Sequence, residues 1–385
     1  MWIIALFVIY WRGTIYGQPF PLNTFLPGPL VRGCDLFLQW DRWQVEFFTR
    51  PGYGHLYFPF TYLPVHLLTK FGPWNALFIF YASVLLPLIY PIKKVLNQGK
   101  IRGLNQANIA LILFFNYPVL IMLYTGNFEG WIYLFIYLSF VFSLKNQYSA
   151  AAGSIGLAIE MKGVPILMSP FLFNGRSVTK CLRILGITSR TVIFSTLFSM
   201  LVLPYGRNIS MVFHTTLESQ KAYRDMMVLG ESGIYFGHSF LNGVHAIFGL
   251  SVMNSNAWIL IMAVLGMCLL CVLVLVNFRR TFVNWKFAAL LACISCFFVP
   301  TSTDYKLTYF LPAVALFCVK RGKLTSFEIF CGVMMALIIS PKPWGVLPRS
   351  DYLNAGVWLT PILICALMVG LCVDIFRSAH KSVLL

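Results

Sequence analysis

The segment Ser154–Met168, SIGLAIEMKGVPILM, places Glu160 and Lys162 inside a run that is otherwise apolar. Residues two apart on a helix point to nearly opposite faces, so these two charges cannot neutralise each other along one helix. A charge at the bilayer centre costs roughly 2.5 to 3.5 kcal/mol even on lenient insertion scales, and such residues usually mark a cavity or a site. The two charges therefore predict separate partners beside a polar cavity.

The composition is that of a membrane protein. The 385 residues are 59% hydrophobic and 11% charged, with a mean hydropathy of +0.77, whereas soluble domains carry about a quarter charged residues. Apolar runs recur along almost the whole chain, and we expect an all-α polytopic membrane protein with about 11 to 12 transmembrane helices. We expect residues 1–385 to form a single membrane-embedded domain, with a first helix that looks shortened.

The weakest point of this helix assignment is the region 149–174. It forms either one kinked helix or two short helices that meet at Gly163-Val164-Pro165, where the proline removes a backbone donor. If the chain breaks there, Glu160 and Lys162 lie at the outer end of a half-spanning helix and face the same compartment.

The net charge of +17 does not indicate nucleic-acid binding, because the basic residues form short clusters between apolar runs. The positive-inside rule assigns the face with most of these clusters to the cytoplasm. That face carries only two acids, Glu328 and Asp374, and the remaining acids collect on the outer face. This distribution predicts a polar extracytoplasmic cavity.

Two long segments are predicted on the outer face. The first, residues 12–72, contains VRGCDLFLQWDRWQVEFF, which is typical of an amphipathic helix at the membrane interface. Asp35 begins this helix as either a general base or an N-cap, and Asp41 follows it. The second, residues 205–256, contains His238 in GHSFLNG and is too long for an idle connector, which favours a substrate-covering role.

Two shorter outer motifs carry further polar side chains. In TGNFEGW, residues 125–131, Asn127 and Glu129 either face the cavity or, for the acid, cap the next helix. In PTSTDYKLTYFLP, residues 300–312, Asp304 and Lys306 are again two apart and need different partners. Lys306 either holds an anionic group or extends to the outer headgroups.

Metal and nucleotide chemistry have little support. Cys268 and Cys271, then Cys293 and Cys296, form two CxxC pairs with a gap close to that of zinc ribbons. Both pairs fall within apolar helices, where thiolates are costly, so core packing is favoured over metal binding. The sequence contains no DxD, P-loop or HExxH motif, which argues against nucleotide-driven chemistry.

These motifs together resemble a known family. An outer aspartate, an aromatic proline-rich segment, GNFEG, GLAIEMKGVP, GHSFLNG and PTSTDYKLTYFLP follow one another over roughly residues 33–320. This order resembles the polyprenol-phosphate-dependent glycosyltransferases of the GT-C fold, specifically the mannosyltransferase-type family 87. The resemblance implies a GT-C membrane fold with outer-face amphipathic helices and an active site on the extracytoplasmic side, most simply in the bacterial inner membrane.

The resemblance also implies an activity and a set of residues. It implies inverting transfer of a sugar, with mannose preferred, from a polyprenyl-phosphate donor to a glycolipid or glycan acceptor, without metal or cofactor. Asp35 matches the family's catalytic base, with Asp41 as the fallback. The residues implied to hold the donor phosphate are Lys162, Lys306 and His238. Those expected to contact the sugar or the acceptor are Asn127, Glu129, Glu160, Asp304 and Tyr305.

Other membrane functions share some of these features. A secondary transporter also has broken helices and intramembrane charges, but it normally shows two related halves. The Glu-x-Lys segment around Glu160 has no repeat in the second half of the chain. A lipid-linked sugar flippase or a polysaccharide polymerase is the other alternative. The long first outer segment with its acid favours a transferase over all of these.

Overall fold

A computed structural model describes most of the chain beyond residue 57. The described residues are Phe7, 10–15, Gly33, 35–37, 57–98, 115–203, 208–228, 237–248, 256–279, 282–300, 302–320, 322–341 and 355–381. Regular structure in these ranges is helical, apart from one antiparallel bridge between Gly237 and Thr303. The prediction of an all-α polytopic membrane protein is confirmed.

The described part of the chain is built almost entirely of helices. The α-helices of the described ranges are α1 (Pro59–Leu68), α2 (Pro73–Gln98), α3 (Tyr117–Thr125), α4 (Glu129–Leu144), α5 (Tyr148–Met161), α6 (Val178–Val202), α7 (Ile209–Tyr223), α8 (Phe240–Phe248), α9 (Asn256–Arg279), α10 (Asn284–Phe297), α11 (Leu311–Cys318), α12 (Ser326–Ile338) and α13 (Ala355–Lys381). Two 3₁₀ helices, Val164–Phe173 and Asp304–Phe310, and two π-helical turns, Trp11–Ile15 and Arg224–Val228, complete them.

Three described helices are long and apolar enough to cross a membrane: Val178–Val202 in α6, Asn256–Phe278 in α9 and Val357–Ile375 in α13. Five shorter apolar segments lie at Pro73–Pro87, Glu129–Leu144, Val164–Phe173, Asn284–Phe297 and Ser326–Ile338. Each of these is shorter than the roughly 20 residues of an ideal span. The full number of crossings, 11 to 12, therefore stays a prediction.

The chain breaks where the sequence left two possibilities open. Helix α5 ends at Met161, Lys162 is extended with φ −160° and ψ 108°, and the 3₁₀ helix begins at Val164. Pro165 lies in the first turn of this 3₁₀ helix. Backbone N–H groups there have no partner within the helix, so the missing N–H of proline costs no hydrogen bond. The region is thus two short helices, and Lys162 occupies the extended joint between them.

Helices α4 and α5 form the hairpin that gathers the polar residues. A three-residue turn joins them, and its Asn146 has a positive φ of 59°. Because the two helices run antiparallel, Glu129 at the start of α4 and Lys162 after α5 lie at the same end of the bundle. We call this the polar end. The turn at Asn146 lies at the opposite end, roughly 20 Å away by the helical rise.

Helix α10 lies in the centre of the bundle. Every side chain from Phe287 to Cys296 is buried, which is typical of a helix surrounded by others. Cys293 and Cys296 pack inside this core, as the packing interpretation predicts, whereas Cys268 and Cys271 are exposed on α9. Within the described residues, no group of three or more His, Cys, Asp or Glu side chains could hold a metal ion.

Candidate functional site

Asp35 lies in a short helical turn that is anchored on the end of α3. The backbone N–H of Gly33 donates to the carbonyl of Tyr124 at 2.7 Å, and that of Phe37 donates to the carbonyl of Gly33 at 2.8 Å. The Asn127 amide nitrogen donates to Asp35 Oδ2 at 2.8 Å. The carboxylate is therefore held in one orientation.

The surroundings of Asp35 change its acidity. Burial raises the pKa of Asp35, and hydrogen bonds from Asn127, Thr125 and Tyr305, with the charge of Lys162, offset only part of this effect. A carboxylate with a raised pKa is a stronger base than one in water. Asp35 thus has both the orientation and the basicity that proton abstraction needs.

The turn 125–131 connects Asp35 to the second acid of the site. Gly126 has a φ of +68°, and a Cβ there would lie 2.9 Å from Leu36 Cβ, so glycine is required. Asn127 Oδ1 accepts from the backbone N–H of Glu129 at 2.9 Å, while its amide nitrogen holds Asp35. A single amide therefore links the turn, the start of α4 and the carboxylate of Asp35.

Glu129 and Lys162 form an ion pair at the polar end. The Lys162 ammonium donates to Glu129 Oε1 and lies 5.4 Å from the centre of the Tyr57 ring, and the Tyr309 hydroxyl lies 3.4 Å from Glu129 Oε2. Burial acts to lower the pKa of Lys162, but the attraction of Glu129 and other anionic groups outweighs it and raises the pKa. Glu129 is fully buried while Lys162 is 26% exposed, so an entering ligand meets the lysine.

Lys306 is the second cation of the cluster. Its side chain is 1% exposed, and its carbonyl accepts from Cys296 Sγ at 3.4 Å. Burial and then the positive charge of Lys162 lower the pKa of Lys306 to about 7, and the attraction of Glu129 does not compensate for them. An anionic ligand beside both lysines would favour the charged form of Lys306.

A second polar group adjoins this cluster. His238 Nε2 lies 2.5 Å from Asp304 Oδ1, and the Tyr117 hydroxyl donates to Asp304 Oδ2 at 3.1 Å. The backbone N–H of His238 donates to the carbonyl of Ser302 at 2.5 Å. Asp304 therefore has His238 and Tyr117 as its partners, and the segment that contains His238 is fastened to the chain just before the 304–310 helix.

Glu160 lies apart from the cluster. Its Oε1 accepts from the backbone N–H of Phe60 at 3.0 Å and from the Thr196 hydroxyl at 3.2 Å. The side chain is 2% exposed, and no described group bonds to its other oxygen. Glu160 thus links α5 to α1 and α6. Glu160 and Lys162 have different partners, as the sequence predicts.

Most of the residues predicted from the sequence meet at the polar end. Those in the central cluster are Asp35, Asn127, Glu129, Lys162, Tyr305 and Lys306. His238 and Asp304 form the adjoining pair, and Asp41 lies outside the described residues.

Three cluster residues escaped the sequence reasoning: Tyr57, Thr125 and Tyr309. Thr125 is the first residue of the 125–131 motif and Tyr309 lies within the 300–312 motif, so membership of a motif was the available signal. For Tyr57 the sequence provided no signal other than its position in an aromatic-rich segment.

Comparison with known proteins identified a family. The family model described as glycosyltransferase family 87 matches residues 55–300. This range contains Asn127, Glu129 and Lys162, whereas Asp35 and Lys306 lie on either side of it. The comparisons with curated proteins and with solved structures found no match.

Proposed function

The chain belongs to glycosyltransferase family 87, and we propose that it transfers a sugar, mannose first among the candidates, from a polyprenyl-phosphate donor to a glycolipid or glycan acceptor. The family and the three apolar helices make it an integral membrane glycosyltransferase. Family membership favours transfer over the transporter and flippase alternatives. The observation that carries the proposal is a half-buried carboxylate, Asp35, which Asn127 holds in one orientation within a cluster that contains two lysines.

The first step assigned to this cluster is proton abstraction. Asp35 accepts the proton of an acceptor hydroxyl, and the hydroxyl oxygen attacks the anomeric carbon of the donor sugar. General-base assistance of this kind contributes roughly 10²- to 10⁴-fold to the rate. The hydrogen bonds from Asn127, Thr125 and Tyr305 support this role because they hold the carboxylate in place.

The second step is departure of the phosphate. The bond between the anomeric carbon and the phosphate oxygen breaks, and the polyprenyl phosphate leaves with the electron pair. Lys162 and Lys306 stabilise the charge that develops on that oxygen, in a site where burial strengthens electrostatic contacts. Attack opposite to the leaving group inverts the anomeric configuration.

The placement of charges supports an extracytoplasmic site. At the end opposite to the cluster, the α4–α5 turn carries Lys145, and the start of α6 with the residues just before it carries Arg176, Lys180 and Arg183. The positive-inside rule assigns such a basic end to the cytoplasm. The cluster then faces the other compartment, and the bacterial inner membrane is our choice of membrane.

The donor's lipid tail needs an apolar wall near the cluster. Thr196 of α6 contacts Glu160 beside the polar end, and α6 exposes Phe194, Leu197 and Leu201 along the same stretch. Large exposed apolar side chains on a spanning helix are suited to lipid contact. We assign the polyprenyl chain to this side of the molecule.

Sugar transfer in nanodiscs tests the proposed function. The purified protein is incubated with a membrane-lipid extract and labelled mannose, supplied either as polyprenyl-phosphate mannose or as a nucleotide sugar. We expect label to enter the extract from the polyprenyl-phosphate donor and not from the nucleotide donor. Transfer from the nucleotide sugar, or none from a panel of polyprenyl-phosphate sugars with several acceptor extracts, would contradict the proposal.

A further inference from the structure

A pocket of about 690 Å³ opens at the end of the bundle opposite to the polar cluster. One wall is the α4–α5 turn and the first turn of α5, with Asn146 and Tyr148. The other wall is the start of α6, with Lys180, Arg183 and Ile187. The sugar-transfer mechanism uses none of these residues.

The pocket has an excess of positive charge. Lys180 and Arg183 are both exposed, and within the described ranges neither forms an ion pair. The sequence predicts only two acids on this face, Glu328 and Asp374. Each is already paired, the first with Lys320 at 2.5 Å and the second with Lys286 at 2.7 Å. An external anion is therefore the natural counter-ion for the two pocket cations.

The rim of the pocket is held by specific contacts. Asn146 Oδ1 accepts from the Tyr148 hydroxyl at 2.6 Å, and the Arg176 guanidinium lies 4.4 Å from the centre of the Tyr148 ring. Ser149 and Ala150 add the first turn of α5, whose N–H groups have no intrahelical partner. The anion would thus meet two cations and a fixed polar wall.

The neighbouring surface is suited to lipid. Helix α6 is a candidate span, and Leu182 and Leu185, beside the two cations, are 63% and 45% exposed. Ile184 and Ile187 line the pocket itself. A ligand with a phosphate at one end and hydrocarbon at the other satisfies both surfaces, whereas free phosphate uses only the cations.

We propose that this pocket binds the headgroup of an anionic phospholipid, with the phosphate between Lys180 and Arg183 and the acyl chains along α6. Basic pockets between helices at the cytoplasmic side of a membrane suit such headgroups. The pocket is a second lipid site, separate from the one proposed for the polyprenyl donor by the length of α5.

Native mass spectrometry of the detergent-purified protein tests this site. Phosphatidylglycerol is titrated against phosphatidylcholine with the same acyl chains, for the wild type, for Lys180→Gln/Arg183→Gln, and for the matched control Lys323→Gln/Arg377→Gln. The control removes the same charge from exposed positions of the same predicted face. We expect the first binding constant for phosphatidylglycerol to fall by about 10- to 30-fold in the pocket variant and to change less than about 2-fold in the control.

Several outcomes would overturn the proposal. Equal losses in both double variants would indicate a general electrostatic attraction without a site, and equal affinity for the two lipids would remove the role of charge. Displacement of the lipid by millimolar inorganic phosphate, with no gain in affinity from the acyl chains, would assign the pocket to a free anion. If the double variant does not fold, Lys180→Gln and Arg183→Gln are measured singly, and each is expected to weaken binding several-fold.

Discussion

Replacing Asp35 by asparagine is expected to lower kcat for sugar transfer by roughly 10²- to 10⁴-fold, because an amide cannot accept the proton of the acceptor hydroxyl. The side chains are nearly the same size, so the turn that contains Gly33 and Phe37 should be retained. The donor KM should change little, since the phosphate contacts are assigned to the lysines. Steady-state transfer from the polyprenyl-phosphate donor measures both quantities.

Asp374→Asn is the matched control for this experiment. Asp374 pairs with Lys286 near the start of α10, and Cys296, which contacts Lys306, lies about 15 Å further along the same helix. The control variant should keep wild-type kcat. A folded Asp35→Asn enzyme with normal kcat would contradict the assignment of Asp35, and loss of activity in Asp41→Asn would then move the base to that residue.

Replacing Lys306 by glutamine is expected to lower kcat/KM for the donor by roughly 10²- to 10³-fold, the cost of removing one preorganised electrostatic contact to the developing charge. Both KM and kcat should be affected, because the donor phosphate is anionic before and during the reaction. Lys323→Gln, an exposed lysine on the opposite predicted face, is the control and should leave both constants unchanged.

The pH dependence of donor kcat/KM gives a second test of the role of Lys306. Its pKa is lowered to about 7 by burial and by Lys162, and only the protonated form holds an anion well. Donor kcat/KM should therefore decline as the pH rises through about 7. On the acidic side it should decline as Asp35, whose pKa burial raises, becomes protonated.

In the Lys306→Gln variant, donor kcat/KM should no longer decline at alkaline pH, while its decline at acidic pH should remain. An alkaline limb that survives in this variant would show that another group titrates there, and Lys306 would then have no role in holding the donor phosphate.

The separation of neighbouring charges could be predicted from the sequence because it depends on local geometry. Residues two apart on a helix point to nearly opposite faces, so Glu160 and Lys162 were expected to have different partners, and the structure shows them. Pro165 marked where a break could occur, but the choice between one kinked helix and two short helices came from the structure. The hairpin of α4 and α5 then brings Glu129 and Lys162 together, and the sequence had already predicted their motifs on one face of the membrane.

The partners themselves depended on packing that no local pattern encodes. Glu160 bonds to Phe60, which is 100 residues away, and Tyr309 reaches Glu129 across 180 residues. Such contacts depend on how α1, α6 and the 304–310 helix pack around α5. The pocket beside Lys180 could not be predicted for the same reason, since a basic cluster has the same sequence pattern with or without a cavity.

The central claim is that a hydroxyl activated by Asp35 displaces polyprenyl phosphate directly, and the anomeric configuration of the first product tests it. A donor of defined configuration is converted by the wild-type enzyme under conditions that exclude chemical anomerisation, and the linkage formed is identified by NMR. Direct displacement predicts a product of opposite configuration to the donor. A product with the donor's configuration would exclude a single displacement opposite to the leaving group and would contradict the central claim.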